Sequence, residues 1–363
     1  MIAERLLALR ASMGASSIDA LLVTARANIR YLTGFSGSSA LLVVTMNEQV
    51  LLTDFRYQSQ AAAEVGDVAQ VIIEPLSLWT RLIDVLPTLG AIRTVGFEPS
   101  QLLVSEHTRL VEQLTSPARH MEWRPVASLV ESLRTTKDAS ELRHIREAIR
   151  MAEFALDETI RQVRPGLSEL EVCGLLEGQL RRAGSEMHPF EAIVASGERS
   201  ALPHARSSQR LLATGEWLLI DFGAVCHGYC SDLTRTFTVG TASADQRELH
   251  SVVRESNLTA SGGVRAGMRG RDADALARDY IERHGWGAEF GHSLGHGIGL
   301  EVHEAPRLAK STDAPLPPGA VVTIEPGIYR PGWGGVRIED DVHLGPSGPD
   351  VLSTFPRELL ELA

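Results

Sequence analysis

GHSLGHGIGLEVHEAP, residues 291–306, sets three histidines, His292, His296 and His303, in a stretch interrupted by Gly291, Gly295, Gly297 and Gly299. How this segment folds decides what the domain around it is. Read as a helix, His292 and His296 stand four apart, as in the HExxH motif of zinc peptidases. Ser293 occupies the place of the glutamate, however, and the glycines disfavour a helix. Read as a phosphate loop, the Gly295, Gly297, Gly299 spacing lacks the lysine and Ser/Thr of a P-loop and does not match the dinucleotide fingerprint. A strand-like segment remains. His296 and His303 are seven apart, so an unbroken strand would send them to opposite faces; the glycines allow a break through which both converge on one site.

Working outward, four carboxylates occupy places where an unpaired charge is costly. Asp221 lies in the apolar strand WLLIDFG at 217–223 and Asp232 follows eleven residues later, just before a second strand, LTRTFTVG at 233–240. A hairpin would bring the two together. Glu325 follows the apolar run AVVTI and precedes Pro326. Glu339 sits in GGVRIEDDVHL, where strand alternation puts Arg337 and Glu339 on one face and Ile338 and Asp340 on the other. Two divalent cations would neutralise four such carboxylates, with a histidine completing the ligand set. Oxygen-rich ligands with one imidazole suit manganese, cobalt, iron or zinc.

The remaining sequence sets the frame. A chain of 363 residues is long enough for two domains with sizeable cores. Its net charge of −11, from 35 basic and 46 acidic side chains, argues against nucleic acid and anionic membrane surfaces as partners. Charges at Glu4, Arg5 and Arg10 break any signal-peptide core, and no apolar run is long enough to span a membrane, so a soluble, cytoplasmic protein is expected. Only three cysteines occur, which fits a reducing compartment. Cys226 and Cys230 lack a second Cys or His pair at suitable sequence spacing to complete a zinc site.

Residues 1 to 128 alternate β-branched apolar runs (18–25, 40–45, 49–54, 68–73) with helical patterns such as 78–89, and so predict an α/β domain. Asp138 with Glu141 forms a capping box that opens a long helix over 138–164, its apolar positions three or four apart. Residues 129–363 then read as an α+β domain. Helices are expected at 168–183, 243–260 and 272–284, and strands at 320–329 and 335–344.

GHSLGHGIGLEVHEAP, LLIDFGAVCHGYCSDLTRTF, TIEPGIY and GVRIEDDVHL, in this order, resemble the pita-bread-fold dinuclear metallopeptidases, and among them the Xaa-Pro aminopeptidases and Xaa-Pro dipeptidases (prolidases). NIRYLTGFSGSSALLVV with LLTDFRY resembles the creatinase-like N-terminal domain of the same group. The resemblance implies an α+β fold, with a C-terminal pita-bread catalytic domain behind a creatinase-like N-terminal α/β domain. It implies two divalent metal ions per subunit, manganese first with cobalt or zinc as alternatives, held by Asp221, Asp232, His296, Glu325 and Glu339. His204 and His303 would stabilise the reacting carbonyl, Glu325 would take a proton from a metal-bridging hydroxide's parent water, and His292 and Arg337 would contact substrate.

The expected activity is removal of the first residue of a peptide at an Xaa-Pro bond, by a homodimer. The alternative is Xaa-Pro dipeptidase, for which Arg307 offers a cation to the substrate's terminal carboxylate. Methionine aminopeptidase is disfavoured by the N-terminal domain. Creatinase and a non-catalytic peptide-binding module are disfavoured by the full set of five ligands.

Overall fold

The computed structural model describes residues 2–115 and 121–363. They group into two compact units, Met1–Arg134 and Thr135–Ala363.

The first unit comprises α1 (Ile2–Ala15), β1 (Ala20–Val23), α2 (Arg26–Thr33), β2 (Ala40–Thr45), β3 (Gln49–Thr53), α3 (Gln58–Val65), β4 (Gln70–Ile73), α4 (Leu78–Val85), β5 (Thr94–Phe97), α5 (Val104–Leu114), β6 (Glu122–Pro125) and α6 (Leu129–Arg134). Its β-branched runs pair into one mixed sheet in the order β4-β3-β2-β1-β5-β6. Leu22, Val43, Leu52 and Val95 from the sheet pack against Leu82, Leu86 and Leu110 from the helices. Helix α6 goes with this unit because Val130 is buried, Arg134 donates to Asn28 Oδ1 at 2.7 Å and Tyr31 Oη donates to the Leu133 carbonyl at 3.2 Å.

The second unit opens with α7 (Ala139–Ile160), whose Asp138–Glu141 capping box is formed as the sequence predicts. It continues through α8 (Glu169–Ala183), β7 (Ile193–Ser196), β8 (Trp217–Phe222), β9 (Val225–Cys226), β10 (Tyr229–Cys230) and β11 (Leu233–Val239). A second helix pair follows, α9 (Ala244–Gly263) and α10 (Gly270–Arg283). The remaining strands are β12 (Gly295–Gly297), β13 (Glu304–Leu308), β14 (Val321–Ile324), β15 (Gly327–Arg330), β16 (Gly334–Arg337), β17 (Asp340–Gly345), β18 (Gly348–Val351) and β19 (Glu361–Leu362). Alternation along β8 sends Leu218, Ile220 and Phe222 into the core beneath α7 and α8, and turns Asp221 the other way. Val322, Ile324, Ile338 and Val342 form a second core with Leu249, Val253, Ala277 and Ile281 of α9 and α10.

Two strands expected to be continuous are each broken, and the breaks face each other. Residues 320–329 divide into β14 and β15 at Glu325–Pro326, where proline supplies no ladder N–H. Residues 335–344 divide into β16 and β17 at Ile338–Glu339. The β14–β17 ladder ends with Ile324 opposite Asp340, and the β15–β16 ladder begins with Gly327 opposite Arg337. Glu325 and Glu339 therefore lie across from each other at a joint between two sheets. Their amides are satisfied elsewhere, Glu325 N by the Leu294 carbonyl at 2.9 Å and Glu339 N by the Thr234 carbonyl at 3.1 Å. No helix among the described residues is long and apolar enough to cross a membrane.

Candidate active site

Strands β8 and β11 pair antiparallel, with Asp221 opposite Thr234, so Asp221 and Asp232 flank the same end of a hairpin. Strand β12 runs beside β14, and between His296 and Gly297 its register to β13 shifts. The shift resolves the parity of the opening motif: the rings of His296 and His303 meet edge to face with centroids 4.4 Å apart. Gly295 and Gly297 permit this approach, since a Cβ at Gly295 would run into the Thr323 carbonyl and one at Gly297 into the Ala305 carbonyl.

A single cavity of about 1010 Å³ collects all ten residues singled out in the sequence: Asp221, Asp232, Glu325 and Glu339; His204, His292, His296 and His303; Arg307 and Arg337. His296 Nε2 lies 3.4 Å from Glu325 Oε1 and 3.8 Å from Asp232 Oδ2. One ligand atom each from Asp232, His296 and Glu339 falls within 4.8 Å of the others. His204, His303 and Arg307 are exposed at the mouth, whereas Asp232, Arg337 and Glu339 are buried.

Three carboxyls in this cavity are held well away from their usual range. Burial, then the charges of Glu339, Asp221 and Glu325, raises Asp232 far above an ordinary aspartate. Glu339 is raised for the same reason, burial first and then Glu325 and Asp221. Burial pushes Glu325 up to about 8. Burial also drives His296 and His292 down to about 4, so both imidazoles are neutral near pH 7. Neutral imidazole is the form that binds a metal.

Arg337 is the buried cation of the group. It pairs with Asp221, donates from Nε to Thr234 Oγ1 at 3.1 Å and from Nη1 to Tyr329 Oη at 2.7 Å. Thr234 in turn donates to Glu339 Oε2 at 2.6 Å. Burial pushes the Tyr329 phenol up to about 12, so it stays protonated and donates to His292 Nε2 at 2.9 Å. His292 Nδ1 then carries the proton and donates to the Ser293 carbonyl at 2.8 Å. Tyr329 and Thr234 were not singled out from the sequence. Tyr329 closes the TIEPGIY motif, and a tyrosine in an otherwise apolar strand is the signal that could have marked it.

The model of metallopeptidase family M24 matches residues 143–346, and that of the creatinase/prolidase N-terminal domain matches residues 5–136. The chain belongs to metallopeptidase family M24. It is 33% identical to an Xaa-Pro dipeptidase of Pyrococcus horikoshii over 96% of either protein. The solved structure of an Xaa-Pro dipeptidase from Bacillus anthracis matches with a TM-score of 0.94 at 40% identity, covering 100% of both chains. That of an X-Pro aminopeptidase from Thermotoga maritima gives 0.89 at 38% identity, covering 95% of this chain and 98% of that one. The expected α+β architecture, creatinase-like domain followed by pita-bread domain, is thus found.

This M24 peptidase is a metal-dependent hydrolase of peptides, and the cavity suits divalent ions. Asp221 Oδ1 and Asp232 Oδ1 are buried there with no hydrogen-bond partner among the described residues. The four carboxylates singled out in the sequence share this cavity with a single buried guanidinium, an imbalance that cations would offset. The glycines of the opening motif give a first prediction for this peptidase. Gly295→Ala drives β12 away from β14 and displaces His296, and a misplacement of about 1 Å at a reacting centre costs on the order of a hundredfold in rate. Steady-state kinetics on a proline dipeptide checks this; unchanged kcat/KM would show that the close approach is not needed.

Proposed function

We propose that the protein is an Xaa-Pro dipeptidase using two manganese ions, the alternative named from the sequence rather than the aminopeptidase first expected there. The observation that carries this reading is the place of Arg307 beside the carboxylate cluster. In the β12–β13 ladder Arg307 is the partner of His296, so the two side chains share a face of the sheet. Burial first, and then the charge of Arg307, depresses His303. His303 and Arg307 line the same cavity, so Arg307 offers a cation to the terminal carboxylate of a substrate whose scissile carbonyl faces His303. The similarity to two proteins named Xaa-Pro dipeptidase supports the same reading.

In this proposal Asp221, Asp232, His296, Glu325 and Glu339 would hold the ions. Carboxylates with one imidazole and no thiolate favour manganese or cobalt. When bound, the ions supply an acidified water and polarise the scissile carbonyl. Glu325 accepts the water's proton at Oε2, its Oε1 already receiving the Thr323 hydroxyl at 3.2 Å. His303 and His204, each with one N–H in the neutral form, donate to the developing oxyanion. The proton held by Glu325 passes to the departing proline nitrogen, which otherwise leaves as an unstable anion.

The deciding experiment compares an Ala-Pro dipeptide with an Ala-Pro-Ala tripeptide, manganese supplied. The dipeptide is expected to be the better substrate by at least roughly tenfold in kcat/KM. Arg307→Ala should remove a charge-assisted bond of about 1.5–3 kcal/mol and raise KM for the dipeptide roughly 10–100-fold. Hydrolysis of the tripeptide alone would overturn the assignment. Tyr329→Phe tests the Arg337–Tyr329–His292 chain separately. It deletes one hydroxyl from behind the substrate-contacting groups, a change expected to lower kcat/KM by roughly 10–100-fold with the fold intact. A variant as active as the parent would remove Tyr329 from the machinery.

A further inference from the structure

The β9–β10 hairpin connects β8 to β11, and so lies between Asp221 and Asp232 in the chain. Its two turn residues, His227 and Gly228, both have positive φ, 47° and 76°, the backbone of a tight primed turn. Cys226, just before the turn, is a free, buried thiol. From a helix far upstream in the sequence, His144 of α7 reaches the same point: its ring lies 4.5 Å, centroid to centroid, from that of His227 and stacks on Tyr229. One ligand atom from each of His144, Cys226 and His227 lies within 4.8 Å of the others.

We propose that His144, Cys226 and His227 form a second metal site, separate from the carboxylate centre, that takes one Zn²⁺ through a thiolate and two imidazoles. The donor set decides the class of ion, because one sulfur and two imidazole nitrogens favour zinc over the manganese that suits the carboxylate cluster. Zinc bonds of about 2.0–2.3 Å require the three donors to close by roughly 1 Å, which rotation of the exposed His227 side chain supplies. Glu147, ion-paired with Arg150, stands three residues after His144 on α7, the spacing that places two side chains on one helix face, and after burial its charge is the next influence that raises the Cys226 thiol, which a bound cation would offset. Glu147 is the protein's own candidate for the fourth position. Cys230 is not used: the hairpin register pairs it with Val225, whereas Cys226 pairs with Tyr229.

Zinc bound here fastens the hairpin to α7. The two aspartates at either end of that hairpin belong to the catalytic centre, so the site's role is to stabilise their support, outside the chemistry itself. None of its residues lines the catalytic cavity.

Cobalt distinguishes the two centres, since a thiolate–Co²⁺ charge-transfer band can arise only where sulfur is a ligand and the carboxylate centre has none. The full-length protein titrated with Co²⁺ should develop that band with the intensity of one thiolate-bound ion per chain, saturating once all the Co²⁺ sites, the carboxylate centre's included, are filled, and it should be displaced by Zn²⁺. Cys226→Ser should abolish it and lower bound zinc by one ion per chain while dipeptide hydrolysis persists. A parent protein with no band, or a band that survives Cys226→Ser, overturns the proposal. His227→Asn guards against a serine variant that does not fold, because asparagine suits the left-handed backbone at this exposed turn. Its band should be strongly weakened, and one of undiminished intensity would equally overturn the site.

Discussion

Glu339→Gln is expected to lower kcat/KM on an Xaa-Pro dipeptide by more than two orders of magnitude and to release bound metal, while leaving the protein folded. Glu339 is 2% exposed, at the joint where β16 gives way to β17. Its side chain accepts a hydrogen bond from Thr234, and glutamine can keep that contact through its amide oxygen. The isosteric change therefore removes a charge and little else. With Glu339 neutralised the ions lose a ligand, so the effect should exceed the roughly 10–100-fold typical of groups that only orient a ligand. Unfolding is separated from ligand loss by the metal-free state. There Glu339 has to take up a proton, because burial and the neighbouring Glu325 and Asp221 oppose its charge; glutamine is neutral without that cost, so metal-free Glu339→Gln should melt above metal-free parent at neutral pH. Elemental analysis, kinetics and melting together check the prediction. A variant with two tightly bound ions and full activity would remove Glu339 from the metal centre.

The same residue shows what was legible in the sequence. Asp221 and Glu325 could be picked out because each adjoins an apolar run where an unpaired charge is costly, Asp232 and Glu339 from their places beside or within a strand, and α7 because its capping box and apolar stripe are local signals. The joint that makes Glu325 and Glu339 neighbours could not be read. Both stretches have strand composition throughout, and what breaks them is the competition between two sheets for the same chain: β14 pairs with β17, β15 with β16. The parity of His296 and His303 was an open question for a similar reason, since the register shift that settles it depends on β13 lying alongside β12. Thr234 had no sequence signal of its own and Tyr329 only that of a tyrosine in an apolar strand, as their roles consist of hydrogen bonds to Arg337 from two other strands. A zinc partner for Cys226 was sought at nearby spacings, whereas the structure supplies His144 through space. Pattern thus located the chemistry, and long-range pairing arranged it.

Stripped of metal, the protein is expected to lose stability as pH rises from 6.5 to 8, the opposite of the metal-loaded enzyme. Glu325 is shifted from 4.5 to about 8 by burial, and Asp232 and Glu339 are raised as well, so the folded metal-free state holds protons that the unfolded chain releases. For a raised pKa the stabilising contribution is complete below the unfolded value and is lost as pH climbs through the folded one. The histidines act in the opposite sense. His292 and His296, lowered from 6.5 to about 4, make the fold more stable as pH rises between those values, and most of their contribution is in place by about 6.5. His250, His303 and His343 are lowered too and act in the same sense, but above pH 6.5 the little that the histidines still add is outweighed by the raised carboxyls of Glu325, Asp232, Glu339 and Asp341. Glu325 by itself accounts for about 2 kcal/mol there, a fall of roughly 4–8 °C in melting temperature. Metal binding needs the same carboxylates deprotonated, so occupancy strengthens with pH and the loaded protein escapes the decline. The measurement is the melting temperature of chelator-treated and manganese-loaded protein across this interval, with the gap between them widening toward pH 8. A metal-free protein whose melting temperature holds or rises over the interval would mean that the carboxylates are already compensated without cations, and the case for a charge-deficient cavity built around two divalent ions would fall.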